Sequence, residues 1–391
     1  MRRTPILALI VGAVVAVVAV PGFIRLDKPN SDGLFYEVQR LEVEGHSEAE
    51  ATRLVFGGAI GRQTADIEDR PSHVRRVLDP DWVEYSKRFY RRRWLVPAVA
   101  AAVAPIVGEQ PGRALRWASL IGYLLVAPVL FLLLRRRFPP GLSAALAVAC
   151  TLAPPVYKWS LGMRVDSWGL MLEALGLLAA VLVKDLGRRW LVLWVAAIAA
   201  LSITRDATAI LLPAVLWLVI AERGDPDARR TNLALLGTGV AAALPAFLVG
   251  GTPVRDQLAY VIVGYKIPDH NSWSFIAAHY MDQLWRTFKA DLSYPLDFPF
   301  PVAAVLYVGL AVAAAAIVAV ALNPARRDPY FWLAKAAIPG CILLLLLANN
   351  AQAYRLELVF VPVAAIGLAI LGKRMMRAAH ERVTARAATL V

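Results

Sequence analysis

Apolar residues fall in long stretches along this chain, and the charged residues gather in short clusters between them. A helix needs about 20 mostly apolar residues to cross a hydrocarbon core of roughly 30 Å. On that measure the pattern offers about ten candidate spans, at 5–24, 113–134, 141–157, 167–183, 190–203, 207–221, 231–250, 301–322, 331–348 and 356–372. The expected fold class is an all-α polytopic membrane protein, with residues 1–391 forming a single integral membrane domain. Met1-Arg2-Arg3 and the apolar run to Val20 have the look of a signal peptide, but no small-x-small cleavage site follows at Val20-Pro21-Gly22, so an uncleaved first span is expected.

Composition agrees with the pattern. Of 391 residues, 59% are hydrophobic and 18% charged, more apolar surface than a soluble core could bury, so the bilayer must act as solvent. The formal charge of +13 does not point to nucleic acid, because the basic residues lie between apolar runs and not along one face. With the N-terminus inside, Arg135, Arg136 and Arg137, Lys184 and Arg188, Arg229 and Arg230, Arg326 and Arg327, and Lys373 and Arg374 all fall in inner segments. That is the distribution of cytoplasmic loops, so both termini are expected in the cytoplasm. Cys150 and Cys341 lie inside apolar runs and read as small buried hydrophobes.

Two long segments are then extracytoplasmic, 25–94 and 251–300. The first predicts short helices: one opening near Asp32-Gly33, and another after Gly45-His46 at the capping-box pattern Ser47-x-x-Glu50. The apolar stretch at 95–108 is too short to cross, since the 15 residues Trp94–Gly108 rise only about 22 Å as a helix, and it is expected as an interfacial or re-entrant helix. The second segment is rich in Tyr, Trp, His and Asp, a composition that suits either a sugar or the aromatic belt of a membrane interface.

Charged groups beside membrane spans invite a functional reading. Asp32 stands just past the first span and could act as a general base, ligate a divalent metal, or cap a helix. Arg164-Val165-Asp166 and Arg205-Asp206 put an Arg and an Asp at the outer starts of two spans, where the helix dipole also favours Asp. Glu173 lies seven residues after Asp166, roughly 10 Å deeper on the same face, lining either a polar cleft or a helix contact. Arg355, in the short outer connection before the last span, suits paired hydrogen bonds to a phosphate, or snorkelling to the interface. No zinc spacing, phosphate-cradling glycine loop or nucleophile elbow is present.

Asp32-Gly33-x-x-Tyr36 with Gly45-His46-Ser47-x-x-Glu50, then Tyr90-Arg91-Arg92-Arg93-Trp94-Leu95-Val96-Pro97, Arg164-x-Asp166, Arg205-Asp206 and Tyr354-Arg355 resemble, in this order and on one side, motifs of the GT-C superfamily of membrane glycosyltransferases. Protein O-mannosyltransferases and lipid A aminoarabinose transferases are members. The resemblance implies a GT-C-like fold and an inverting glycosyltransferase in the plasma (inner) membrane, working on the extracytoplasmic face. It would move a hexosyl or pentosyl group from a polyprenyl-phosphate sugar to a hydroxyl of an envelope glycan, lipid or protein. Asp32, Asp166 and Asp206 are the catalytic candidates, with Asp32 as base. Arg164, Arg205, Arg355, Tyr36 and Glu173 are the substrate-binding candidates. Asp32 and Asp166 are candidate ligands for Mg2+ or Mn2+, although the aspartate pair usual in the family's first loop is here reduced to Asp32. Two rivals stand beside this reading: a transporter or lipid flippase, with its substrate groups near the midplane, and a non-catalytic membrane scaffold.

Overall fold

The computed structural model describes residues 4–25, 29–68, 76–205, 208–249, 252–324, 328–348 and 355–389, and among them helices are the only regular elements. The first apolar run forms α1 (Thr4–Arg25). Four short helices follow, α2 (Ser31–Val43), α3 (Glu48–Phe56), α4 (Ala59–Glu68) and α5 (Pro80–Lys87), then α6 (Leu95–Val107). The bundle continues with α7 (Arg113–Arg135), α8 (Pro140–Leu152), α9 (Pro154–Ser160), α10 (Asp166–Leu186), α11 (Leu191–Ser202), α12 (Thr208–Ala221) and α13 (Pro226–Leu248). After it come α14 (Val254–Ile262), α15 (Trp273–Ser293), α16 (Phe300–Ala321), α17 (Pro329–Ala348) and α18 (Val361–Thr389).

Six of these, α1, α7, α13, α16, α17 and α18, are long and apolar enough to cross a membrane, and α8 with α9 makes a seventh if taken together. The expected ten spans are therefore not all reached. The stretches at 190–203 and 207–221 give helices of 12 and 14 residues, about 18 and 21 Å long and short of the core thickness. The stretch at 167–183 gives α10, which is 21 residues long and mostly buried by its neighbours, and it too lies outside the six. The stretch at 141–157 is broken, with α8 and α9 meeting at 58°. Pro154 and Pro155 stand at the break; each lacks a backbone donor and clashes with the preceding turn.

Helix α7 is the axis, packed against α1, α6, α8 and α10. A large apolar core joins α1 and α7 to α10, α17 and α18, and a smaller one joins α2 to α6 with Met163, Val165 and the first turns of α7. At one end Arg137 donates to both Asp185 (2.9 Å) and Asp328 (2.7 Å), tying α7 and α10 to the start of α17. The short helices α2 to α5 cover the other end. Exposed apolar side chains such as Val17 (76%), Val305 (63%) and Phe300 (85%) would be costly in water and suit lipid. The protein is an integral membrane protein.

The capping pattern at Ser47 is present: its Oγ accepts from the backbone N–H of Glu50 at 3.3 Å. The aromatic segment at 251–300 divides in two. Tyr260 and Tyr265 turn inward onto α5, with Tyr260 Oη 3.0 Å from Ser86 Oγ and the Trp82 indole donating to the Tyr265 carbonyl at 2.8 Å. Met281, Trp285, Phe288 and Leu292 form an exposed apolar stripe on α15, with Asp282, Arg286 and Lys289 interspersed, the character of a helix lying in the membrane interface.

Candidate functional site

The site lies where the start of α2 meets the start of α10, the end of α11 and the approach to α18. Asp32 is not the cap of α2. That place belongs to Asn30, whose Oδ1 accepts from the Gly33 N–H at 2.9 Å. Asp32 sits in the first turn, and its carboxylate turns to Arg355, with Nη1 2.5 Å from Oδ2, while the Tyr90 hydroxyl donates to Oδ1 at 2.6 Å. Gly33 permits this approach, because a Cβ there would lie 2.4 Å from Cβ of Met163.

Asp166, 1% exposed, opens α10 and faces the other side of the same guanidinium. Arg355 Nη2 is 3.0 Å from Oδ2, and Nε donates to Oδ2 at 3.1 Å. Arg205 Nη1 reaches Asp166 Oδ1 at 2.8 Å. Its side chain crosses α10 over Gly169, where a Cβ would stand 3.0 Å from Arg205 Cδ. Arg355 thus bridges Asp32 and Asp166, two residues that the chain separates by most of its early helices.

Arg164 joins through an aromatic platform. Its guanidinium carbon is 4.3 Å from the Trp159 ring centre, and that of Arg355 is 5.7 Å from the same ring. The break after α8 carries Trp159, on α9, to this position. Ser119 Oγ fixes the backbone of Arg164, donating to its carbonyl at 2.6 Å and accepting from its N–H at 3.2 Å.

Two carboxylates and three guanidinium groups therefore converge, and their fields set the protonation states. Burial pushes the Asp32 carboxyl up, but the Arg355 charge, the Tyr90 hydroxyl and the Arg164 charge outweigh it and hold it well below its ordinary 3.8. Burial and the Asp32 charge push the Tyr90 phenol well above its ordinary 10.0, so it remains a donor.

Tyr36 is fully buried, accepts from Arg93 Nη1 at 3.1 Å and meets the Tyr90 ring edge-on. It packs on Tyr90, the partner of Asp32, and its hydroxyl is bonded to Arg93 and not to either carboxylate among the described residues. Glu173, 1% exposed, stands two turns deeper in α10, with Oε1 unpartnered among the described residues. It does not join the ion-paired group. Asp206 lies outside the described residues.

Asp32 and Asp166 are the candidate Mg2+ or Mn2+ ligands. With Arg355 between them, and no group of three His, Cys, Asp or Glu side chains able to hold a metal among the described residues, this donor set does not fit a divalent metal centre as it stands.

Sequence reasoning missed the parts played by Tyr90, Arg93 and Trp159. Tyr90 and Arg93 were visible as part of a Tyr-Arg-Arg-Arg cluster in a segment that otherwise should shun positive charge, which was the available signal. Trp159 carried none beyond its place near a predicted membrane surface.

Residues 94–249 match the family model for dolichyl-phosphate-mannose-protein mannosyltransferase. The match supports a membrane glycosyltransferase of the GT-C type. The match covers less than half of the chain; it takes in Arg164, Asp166, Glu173 and Arg205, and leaves Asp32, Tyr36 and Arg355 outside. No curated protein and no solved structure matches the chain.

Proposed function

We propose that the protein transfers a sugar from a polyprenyl-phosphate donor to an acceptor hydroxyl, with inversion, on the extracytoplasmic face. The observation that carries this reading is the Arg355 guanidinium held between Asp32 and Asp166, with Arg205 and Arg164 beside it.

In the substrate-free arrangement Arg355 is neutralised by carboxylates. A donor phosphate competes for the same fork of N–H groups, a geometry guanidinium matches well. As Arg355 turns to the phosphate, Asp32 loses the largest influence that lowers its pKa and keeps its burial, so it becomes a stronger base. It then takes the proton of the acceptor hydroxyl as that oxygen bonds to the anomeric carbon. The bond from the anomeric carbon to the phosphate oxygen breaks on the opposite face, which inverts the centre. The electron pair leaves with the polyprenyl phosphate, whose added negative charge falls to Arg355, Arg205 and Arg164. Asp166 positions Arg355 and Arg205. The acceptor is an envelope glycan, lipid or protein.

The transporter reading would need polar groups arranged along a path at depth, and Glu173 is the one acidic group of α10 found there, with no ion-pair partner among the described residues. The test is to incubate membranes containing the protein with a panel of radiolabelled polyprenyl-phosphate sugars and to measure label in the lipid, glycan and protein fractions. Transfer above protein-free membranes supports the reading. Protein-dependent passage of the intact donor across a sealed vesicle, without transfer, contradicts it.

A further inference from the structure

Asp32 has two bonded partners among the described residues, Arg355 on Oδ2 and Tyr90 on Oδ1. Transfer takes Arg355 away to the donor phosphate, which leaves the Tyr90 bond to restrain the carboxylate. Rotation about the last side-chain bond of an aspartate is soft and roughly two-fold, so a carboxylate freed on one side and unheld on the other would sweep both oxygens through the site. How well Tyr90 prevents this depends on how firmly its own hydroxyl is placed.

Tyr90 is placed largely by one face of α2. Asp32, Phe35, Tyr36 and Gln39 follow the i, i+3, i+4, i+7 spacing that brings side chains onto one side of a helix. Gln39 Nε2 donates to the Tyr90 backbone carbonyl at 2.7 Å. The Phe35 ring lies flat on the Tyr90 ring, with centres 4.4 Å apart and planes 9° from parallel, and the Tyr36 ring meets it edge-on at 5.3 Å. The turn after α5 holds the backbone as well: the Tyr90 N–H donates to the Lys87 carbonyl at 3.0 Å, and the Arg93 N–H donates to the Tyr90 carbonyl at 2.8 Å. From this seat the hydroxyl reaches Oδ1 at 2.6 Å, the length of a charge-assisted bond. Backbone and ring are fixed without Asp32, so the phenol places the carboxylate and not the reverse.

We infer that Tyr90 is the positioning residue of Asp32: it keeps hold of Oδ1 whether or not Arg355 is bonded, and so leaves Oδ2, the oxygen Arg355 vacates, to receive the proton of the acceptor hydroxyl. That proton passes from the hydroxyl to Oδ2, and Tyr90 keeps its own. The role of Oδ2 rests on the glycosyltransferase reading, whereas the hold on Oδ1 does not.

The test is Tyr90→Phe, which removes the hydroxyl and keeps both ring contacts. Loss of a donor to the ionised carboxylate makes Asp32 a stronger base, which by itself would speed proton removal, so a fall in kcat reads lost placement. In the polyprenyl-phosphate assay kcat should fall about tenfold or more with KM for donor and acceptor nearly unchanged, and the acid limb of kcat should move up by about one pH unit. Added to Asp32→Asn, the same substitution should change the residual rate by less than about twofold, because a residue that acts through Asp32 has nothing left to act on. Unchanged kcat and acid limb, or a fall that multiplies in full with that of Asp32→Asn, would overturn the assignment. The hold on Oδ1 is read without transfer by infrared titration of Arg355→Gln in lipid nanodiscs, with and without Tyr90→Phe, following the carboxyl band that Asp32→Asn removes. Arg164 and Arg93 also bring charge to Asp32 and are present in every sample. Tyr90→Phe should raise this titration by about one pH unit. A shift in a protein that transfers nothing would uphold the hold on Asp32 and remove the transferase reading. Transfer that depends on Asp32, with neither the titration nor kcat moved by Tyr90→Phe, would do the reverse.

Discussion

Arg355 stands 189 positions after Asp166 and donates to both of its carboxylate oxygens, with Nε 3.3 Å from Oδ1 and 3.1 Å from Oδ2. Both residues are buried, and Arg205 adds a second guanidinium to the same carboxylate. Breaking a buried pair by removing one partner costs about 3–5 kcal/mol, because the other charge is left without compensation. Asp166→Asn is expected to destabilise the purified protein by that order. Arg205→Gln added to it should recover about 1 kcal/mol or more, since residues of one ion network are not additive. Denaturant midpoints of the two single variants and the double variant check this, and simple additivity would contradict it.

Gly33 lets α2 lie against Met163 and so sets where Asp32 stands. Gly33→Ala places a methyl group where only 2.4 Å is open to the Met163 Cβ. Overpacking of this kind costs about 1–3 kcal/mol. A fall in thermal stability together with a larger fractional fall in transfer is expected. Unchanged stability would mean that the α2 contact yields without strain.

The pH dependence should differ between the free and the occupied enzyme. In the free protein Asp32 titrates below its ordinary 3.8, so its contribution to stability is whole above that value and is lost only as pH falls from there through the folded value. With a donor phosphate on Arg355, burial prevails and Asp32 rises. The acid limb of kcat reports the occupied enzyme and that of kcat/KM the free one. The limb of kcat is therefore expected at the higher pH. Coincident limbs would contradict the transfer of Arg355 from carboxylate to phosphate.

The side-by-side placement of Asp32, Asp166, Arg164, Arg205 and Arg355 was legible as one-sided order along the chain, because span periodicity and basic-loop asymmetry assign each to the same end. Their distances were not. Nothing local in the sequence says that Arg355 reaches Asp32 and Asp166 at once, since that contact is set by how the last helix packs on α10. The role of Asn30 as cap shows the same limit at short range. Asn30 and Asp32 are both good capping residues two positions apart, and the choice between them depended on Arg355 and Tyr90. The count of ten spans is not confirmed among the described residues, because apolar runs such as 190–203 and 207–221 look alike in sequence whether they form helices of full crossing length or shorter ones.

The most direct measurement is sugar transfer from the polyprenyl-phosphate panel by membranes holding equal amounts of the parent and of Asp32→Asn. Loss of a positioned general base costs about 10²- to 10⁴-fold in rate. The account predicts transfer by the parent and a loss in that range by the variant. Equal transfer by both would remove Asp32 from the chemistry and contradict the account.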